Sequence, residues 1–286
     1  MTVTSQLDTW VMLAVLLAAV LHASWNAFLK ASVDRLITFA WFDVTALVIA
    51  GVAVAFVGVP ARESWPYIAA SVIVHVFYRV FLMQAYRYGD LSSSYPIARG
   101  SAPLLVAGAA LAMGLAEPRW AMLVGVGLIS AGVMSLAFSR AYRLRRLDRG
   151  VAYALATGLV IAVYSIIDAE GVRLSGEPLG YIFWLFLLDS LPMPLYVIAA
   201  RRDVGLRHVL GLGLGGFVAG ALAMAAYGIV IWAFSRGGVA EIVALRETSV
   251  VFGALIGAIL LKEGLGPRRI AAAIVVAAGI IVLKIF

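Results

Sequence analysis

The chain has 286 residues, of which 64% are hydrophobic and 13% are charged, and its mean hydropathy is +1.03. Soluble domains are close to half apolar and a quarter charged, and roughly a quarter of the extended-chain surface stays in contact with water after folding. This composition therefore excludes a soluble enzyme, a disordered protein and a nucleic-acid-binding domain. In a membrane protein, the net charge of +7 indicates orientation rather than nucleic-acid binding.

Ten apolar runs follow one another along the chain, each long enough to cross a hydrocarbon core of about 30 Å. Short polar segments separate them and leave no room for an extramembrane domain. The sequence therefore predicts an all-α integral membrane protein with ten transmembrane helices. The predicted spans are residues 9–29, 36–59, 65–86, 92–114, 118–138, 150–171, 178–199, 208–234, 239–261 and 265–285.

The basic residues are distributed unevenly between the two sides of this predicted bundle. Loops after odd-numbered helices hold 14 Lys and Arg, whereas loops after even-numbered helices and both termini hold 5. Cytoplasmic loops carry an excess of Lys and Arg. We therefore expect both termini on the non-cytoplasmic side of a bacterial inner membrane.

The two halves of the chain resemble each other. An Arg-rich segment, residues 140–149, separates a first half (1–139) from a second half (150–286), and each half holds five predicted spans. An odd number of spans forces two copies into opposite orientations, as in the inverted repeats of many secondary transporters. The alternative is a chance alignment of two apolar sequences. Residues 147 positions apart match in three pairs: Arg99 and Arg246, Ser101 and Thr248, and Gly132 and Gly279.

Each half also carries an aromatic residue and a glycine at the end of its third helix: Ala85-Tyr86 with Gly89, and Ala233-Phe234 with Gly237. A fourth helix rich in small residues, an acidic turn and a Gly-rich fifth helix follow in both halves. Over nearly the whole chain this pattern resembles the drug/metabolite transporter superfamily, in the branch with two EamA domains. The resemblance extends to amino-acid exporters of that branch, which implies export of aromatic and other neutral amino acids. The family is often drawn with cytoplasmic termini, opposite to the Lys and Arg distribution.

Polar residues in the third helix form one face. His75, Tyr78 and Arg79 are three and four residues apart, so they lie side by side on a helix. One interpretation is a cavity wall in which Arg79 holds a substrate carboxylate through two hydrogen bonds. The other is that Arg79 pairs with Asp43 or another acid and fixes two helices together.

The fourth and ninth helices carry the remaining buried charges. Tyr95, Arg99 and Ser101 lie in the fourth, near Pro96 and Pro103, which suit a bend or a gate. We expect Arg99 to pair with Glu247. Because adjacent helical residues point about 100° apart, we expect Arg246 to take a different partner, either Glu241 or Asp168. These pairs are either structural or form a charge gate, and Thr248 follows them in the ninth helix.

Aromatic and amide side chains complete the candidate site. His22, Asn26 and Lys30 form a stripe on the first helix with Trp25 beside it, and Tyr164 of the sixth helix and Tyr227 and Trp232 of the eighth are possible facing walls. Packing is the alternative role for these rings. Asp189, with Pro192 and Pro194, indicates a kink with a local partner. The candidate substrate-binding residues are Trp25, Asn26, His75, Tyr78, Arg79, Tyr95, Arg99, Ser101, Tyr164, Tyr227, Trp232, Arg246, Glu247 and Thr248.

These features favour a secondary transporter for a small zwitterionic metabolite, with a midplane site between the halves. Glu247, Glu241 or His75 could carry a coupled proton. The alternative function is efflux of lipophilic cations, although the first helix lacks a buried acid. An enzyme is not expected, since the chain has no Cys, no HExxH and no GxSxG. We expect no cofactor, no metal and no nucleic-acid partner, and a monomer that works with a small-molecule substrate in the lipid bilayer.

Overall fold

The computed structural model describes residues 8–32, 34–89, 91–137, 149–200, 213–260 and 266–285. Of the predicted Arg-rich connection only Arg149 falls within these ranges. The basic residues Arg201, Arg202, Arg207 and Lys262 and the side chain of Lys30 lie outside the described residues, so the structure does not test the predicted orientation.

The described residues are helical and contain no β-strand, which confirms the all-α prediction. In the first half the helices are α1 (Thr9–Ala31), α2 (Arg35–Ala53), α3 (Trp65–Tyr88), α4 (Leu91–Ala112) and α5 (Trp120–Ser135). In the second half they are α6 (Arg149–Leu174), α7 (Pro178–Asp189), α8 (Pro192–Ala200), α9 (Gly213–Phe234), α10 (Val239–Glu247), α11 (Ser249–Leu260) and α12 (Pro267–Ile285). One 3₁₀ turn, Arg62–Ser64, precedes α3.

Local sequence signals explain where several helices begin. The Asp8 carboxylate accepts hydrogen bonds from the first amides of α1, and the Asp34 carboxylate does the same for α2. Proline occupies the first position of α7, α8 and α12, where its missing N–H leaves no helical hydrogen bond unmade. By contrast, α4 continues without interruption through Pro96 and Pro103.

Six helical segments of the described residues are long and apolar enough to cross a membrane. They are Thr9–Leu29, Leu36–Ala53, Arg62–Tyr88, Arg149–Leu174, Pro178–Ala199 and Gly213–Phe234; α5 is apolar but shorter. Large apolar side chains such as Leu17, Ile73, Leu159 and Ile274 are exposed, as expected for faces that contact lipid. A multi-pass membrane protein is therefore supported, whereas the ten-span architecture remains a prediction.

Two predicted spans are interrupted. The seventh breaks between Asp189 and Pro192, as the prolines indicate, whereas the break between Glu247 and Ser249 in the ninth was not predicted. The second helix ends at Ala53, earlier than the predicted residue 59, and turns follow it. Hydropathy alone could not place these ends, because the residues beyond them are as apolar as those inside the helices.

Small residues allow close helix packing where α5 lies against α12. A Cβ atom on Gly279 would lie 2.8 Å from the Gly125 carbonyl oxygen and 2.8 Å from the Ile129 side chain. The same contact places Val276 against Gly132. Membrane helices associate through such close backbone approach, so this pair of helices joins the two halves at one edge of the bundle.

We therefore expect Gly279→Val to destabilise the protein, because overpacking a tight contact costs about 1–3 kcal/mol. Thermal unfolding in mild detergent measures the change. Gly127→Val on α5 is the control, since a Cβ at Gly127 meets nothing within 4 Å. Equal stability of the two variants would contradict the packing account.

Candidate functional site

A cavity of about 170 Å³ lies between helices of both halves of the chain. A water occupies about 10–15 Å³ on this measure, so the cavity has room for a small metabolite. Its wall combines aromatic rings with five charged side chains. The charged residues are Asp43, Arg79, Asp189 and the pair Arg99 and Arg246, with His22 and His75 nearby on the same wall.

Arg99, Arg246 and Glu247 form a basic cluster beside this cavity. Arg99 Nε lies 3.1 Å from Glu247 Oε2, and its Nη1 donates to Glu247 Oε1 at 3.3 Å. Arg246 reaches the same Oε1 at 3.1 Å. Glu247 is fully buried, and both arginines line the cavity. The predicted Arg99–Glu247 pair is therefore confirmed, and two guanidinium groups share one carboxylate.

The predicted partners of Arg246 were wrong. Its guanidinium contacts the adjacent Glu247 and the Tyr164 hydroxyl, at 3.1 and 3.4 Å, rather than Glu241 or Asp168. The angle of about 100° between neighbouring helical residues did not keep the two side chains apart. The helix α10 ends at Glu247, and the long Arg246 side chain reaches the adjacent carboxylate. Arg99 also contacts His22, whose Nε2 accepts from the guanidinium.

An acidic cluster of opposite composition lies on the same cavity. Arg79 Nη2 donates to Asp189 Oδ2 at 2.8 Å and lies 3.5 Å from Asp43 Oδ1. Arg79 Nη1 also donates to the Asp189 backbone carbonyl at 3.3 Å, which satisfies an acceptor at the end of α7. The pairing interpretation of Arg79 is supported, and the partner of Asp189 is not local as expected but lies on α3. Here one guanidinium serves two carboxylates.

Aromatic rings form the wall beside the charged clusters. The Tyr164 ring stacks on His75 with centroids 4.4 Å apart, and it makes edge contacts with Tyr78 and Tyr227 at 5.8 and 5.7 Å. Elsewhere on the wall, Trp25 packs edge-on against Phe42 at 5.8 Å. Such a lining favours a ligand with an apolar or aromatic part.

Apart from Arg99 Nε, which lies 3.1 Å from Glu247 Oε2, two polar atoms of cavity-lining residues are buried without a hydrogen-bond partner in the part of the chain that the structure describes. They are the indole nitrogen of Trp25, a donor, and Oδ2 of Asp43, an acceptor. Leaving such groups unpaired costs about 1–3 kcal/mol each. A ligand with both an acceptor and a donor would satisfy them.

The predicted site residues divide into two groups. Eight line the cavity: Trp25, His75, Tyr78, Arg79, Arg99, Tyr164, Tyr227 and Arg246. Their role in binding remains a prediction. The other six do not line the cavity: Asn26, Tyr95, Ser101, Trp232, Glu247 and Thr248.

Local contacts account for the positions of this second group, whose role in binding is also untested. The Asn26 amide and the hydroxyls of Ser101 and Thr248 donate to carbonyls of their own helices. Tyr95 lies beneath the Arg99 guanidinium at 5.6 Å, and Trp232 lies beneath that of Arg236 at 5.5 Å. Glu247 contacts the two arginines that line the cavity.

Sequence reasoning left several cavity residues out of the candidate site, including Asp43, Asp189 and the phenylalanines Phe39, Phe42 and Phe186. The phenylalanines carry no sequence signal that separates them from core residues. The two aspartates do: they are 146 positions apart, within one residue of the offset between Arg99 and Arg246.

We expect Glu247→Gln to destabilise the protein, because removing one partner of a buried ion pair costs about 3–5 kcal/mol. The two arginines would lose their shared counter-charge. Thermal unfolding in detergent is the measurement, and Glu241→Gln on the same helix, where the side chain is half-buried, is the control. An unchanged unfolding temperature for the Glu247 variant would show that the cluster is not structural.

Comparison with known proteins agrees with this arrangement. No curated protein matches the chain. One solved structure, titled only "Crystal structure of protein", superposes with a TM-score of 0.69 over 96% of this chain and 95% of its own, at 19% identity, which establishes a shared fold. Residues 148–285 match the model of the EamA-like transporter family. The second half of the chain therefore resembles an EamA-like transporter domain.

Proposed function

We propose that the protein is a secondary transporter that exports small zwitterionic metabolites, above all aromatic and other neutral amino acids, through the central cavity. The observation that carries the proposal is that the cavity meets two clusters of three charged residues, and the formal charges within each cluster do not cancel. Arg99, Arg246 and Glu247 sum to one positive charge, and Arg79, Asp43 and Asp189 sum to one negative charge.

An amino acid has the charges that these clusters lack. Uncompensated charge is costly inside a membrane protein. A substrate carboxylate would complete the basic cluster through Arg99 and Arg246, which bind carboxylates in two-hydrogen-bond geometry. A substrate ammonium group would complete the acidic cluster, where Asp43 Oδ2 has no partner among the described residues.

The sequence repeat also relates the two charge clusters to each other. Asp43 and Asp189 occupy nearly equivalent positions of the two halves, as do Arg99 and Arg246. Each cluster thus places two like charges from equivalent positions around one opposite charge. In the first half, Gly100 stands 147 positions before Glu247, so no second acid balances the arginines.

The rings of the wall favour an aromatic or apolar side chain. Trp25, Phe39 and Phe42 lie on one part of the cavity, and the stacked pair of His75 and Tyr164 lies on another. The indole N–H of Trp25 is an available donor for a polar group of the substrate. Aromatic rings would add contacts of about 0.5–1.5 kcal/mol beyond area burial.

Helix packing supports an alternating-access mechanism by two inverted five-helix repeats, which is part of the proposal. In the first half α3 packs along α6, and its counterpart α9 packs along α1. In the same way α4 packs on α6, and α10 and α11 pack on α1. Such exchanged contacts are expected when two repeats rock around a shared site. We propose a monomer in the bacterial inner membrane with both termini outside.

Efflux of lipophilic cations is the less favoured function. A cation would complete the acidic cluster but would meet two arginines, Arg99 and Arg246, elsewhere on the wall. Repulsion from these groups favours a ligand that carries both charges.

Counterflow in proteoliposomes tests the proposal. Vesicles preloaded with unlabelled phenylalanine should take up labelled phenylalanine, tryptophan and leucine, but not labelled tetraphenylphosphonium. Uptake of the cation without uptake of any neutral amino acid would reject amino-acid transport in favour of the cation.

Competition for counterflow tests whether a substrate needs both its carboxylate and its ammonium group. Phenylalanine amide lacks the carboxylate and N-acetylphenylalanine lacks the ammonium group, so each should compete at least ten-fold less well than phenylalanine. Equal competition by all three would contradict the two-cluster account of binding.

Asp43→Asn should weaken transport roughly 10- to 100-fold, because it removes a charge-assisted hydrogen bond worth about 1.5–3 kcal/mol. The half-saturation concentration for counterflow is the measurement. Trp232→Phe is the control, since its ring lies off the cavity beneath Arg236, and it should behave like the wild type. If Trp232→Phe impairs counterflow and Asp43→Asn does not, the cavity has been assigned to the wrong residues.

A further inference from the structure

Asp168, in the middle of α6, is an acid that the proposed substrate site does not use. Its side chain is fully buried. The Tyr181 hydroxyl donates to Oδ1 at 3.0 Å, and the Tyr227 hydroxyl donates to Oδ2 at 2.5 Å. Both carboxylate oxygens are therefore held by neutral phenols.

Asp168 differs in this respect from the other buried acids of the site. Glu247, Asp189 and Asp43 each lie within 3.5 Å of an arginine nitrogen. No Lys or Arg in the described ranges forms an ion pair with Asp168. Hydrogen bonds from phenols compensate a buried charge only in part, so a proton is the counter-ion that this position can accept.

The groups that face Asp168 come from three of the helices packed on α6, namely α3, α7 and α9. From α3, Ser71 and His75 lie beside the carboxylate, and α7 and α9 contribute the two tyrosines. Arg246 of α10 contacts the hydroxyl of Tyr164, one turn away on α6, and Arg99 of α4 pairs with Glu247. The turn at Arg62–Ser64, with Arg62 and Glu63, meets α6 near Ser175, about two helical turns away.

Two of these neighbours connect Asp168 with the cavity. Tyr227 and His75 both line it, and their rings are in contact, with centroids 5.7 Å apart. The His75 ring nitrogen Nδ1 donates to the Ser71 carbonyl at 2.9 Å, which in the neutral ring leaves Nε2 as an acceptor. The Tyr227 hydroxyl thus joins Asp168 directly to a residue of the cavity wall.

We propose that Asp168 binds and releases the proton that drives export, so that the protein is a proton antiporter; this inference rests on the proposed transport function. A proton from one side of the membrane forms an O–H bond on Oδ2, and the carboxylate becomes a neutral acid. The same O–H bond breaks when the cavity faces the other side, and the proton leaves to water. No other bond is made or broken.

The Tyr227 hydroxyl supplies the coupling. Beside a carboxylate it must donate to Asp168, whereas beside the neutral acid it accepts from Oδ2 and its own proton is free to bind in the cavity. Protonation therefore changes the hydrogen bonding of a wall residue without moving the backbone. Substrate and proton would then favour different states of the same cavity.

Gradient-driven uptake distinguishes coupling from simple exchange. In proteoliposomes with an imposed pH gradient, the wild-type protein should accumulate labelled phenylalanine above equilibrium. Asp168→Asn should lose at least ten-fold of this accumulation and keep counterflow, because the amide retains the shape but cannot titrate. Glu170→Gln is the matched control on the same helix, since Glu170 is half-buried and pairs with Arg173; it should keep both activities. Loss of both activities by Asp168→Asn in folded protein would assign it a structural role and overturn the inference.

Infrared difference spectroscopy over a pH titration gives a readout that does not depend on substrate. The wild type and Glu170→Gln should show the carbonyl band of a buried protonated acid, and Asp168→Asn should lack it. If Asp168→Asn does not fold, Asp168→Glu should shift the band instead. The inference is overturned if the wild type lacks this band, or if it shows counterflow without gradient-driven accumulation. The proposed function stands in both cases.

The proposed function is rejected if no neutral amino acid gives counterflow. The infrared band then tests proton binding by Asp168 independently of transport.

Discussion

A charge buried in a bilayer must meet an opposite charge, and the centre of this molecule is arranged around that requirement. Glu247 lies at the carboxyl end of α10, where the helix dipole already disfavours a negative group. Arg99 and Arg246 both pair with it, and the Arg99 contact joins α4 to α10. Asp189 occupies the same kind of position at the end of α7 and is held by Arg79. An ion pair thus joins the end of each interrupted helix to an uninterrupted one: α7 to α3, and α10 to α4.

The architecture was largely predictable because its physical cause is local. Runs of apolar residues long enough to span a bilayer became helices at nearly the predicted positions, and Pro192 correctly indicated an interruption. The break after Glu247 was not predictable in this way, since no proline or glycine marks Thr248. The residue before the break, Glu247, is held by Arg99, which lies 148 positions earlier in the chain.

The site was predictable where helical spacing decides the outcome. His75, Tyr78 and Arg79 share a face and all reach the cavity. Ser101 and Thr248 do not, because a hydroxyl in an apolar helix bonds to the carbonyl of the preceding turn when no other partner is near. The partner of Arg246 was missed for a related reason: a flexible four-bond side chain can fold back where a helix ends, and residue spacing does not record this.

The interruptions in α7–α8 and α10–α11 also bear on how the molecule deforms. Both lie in the second half of the chain, while α2 and α4 pass the cavity as single helices. A break removes helical hydrogen bonds that resist bending, so the second half has two positions at which a helix can bend that α2 and α4 lack. Exposure of the cavity to the two sides of the membrane would not be mirror-image events, and the rate constants for the two openings should differ even when the concentrations on both sides are equal.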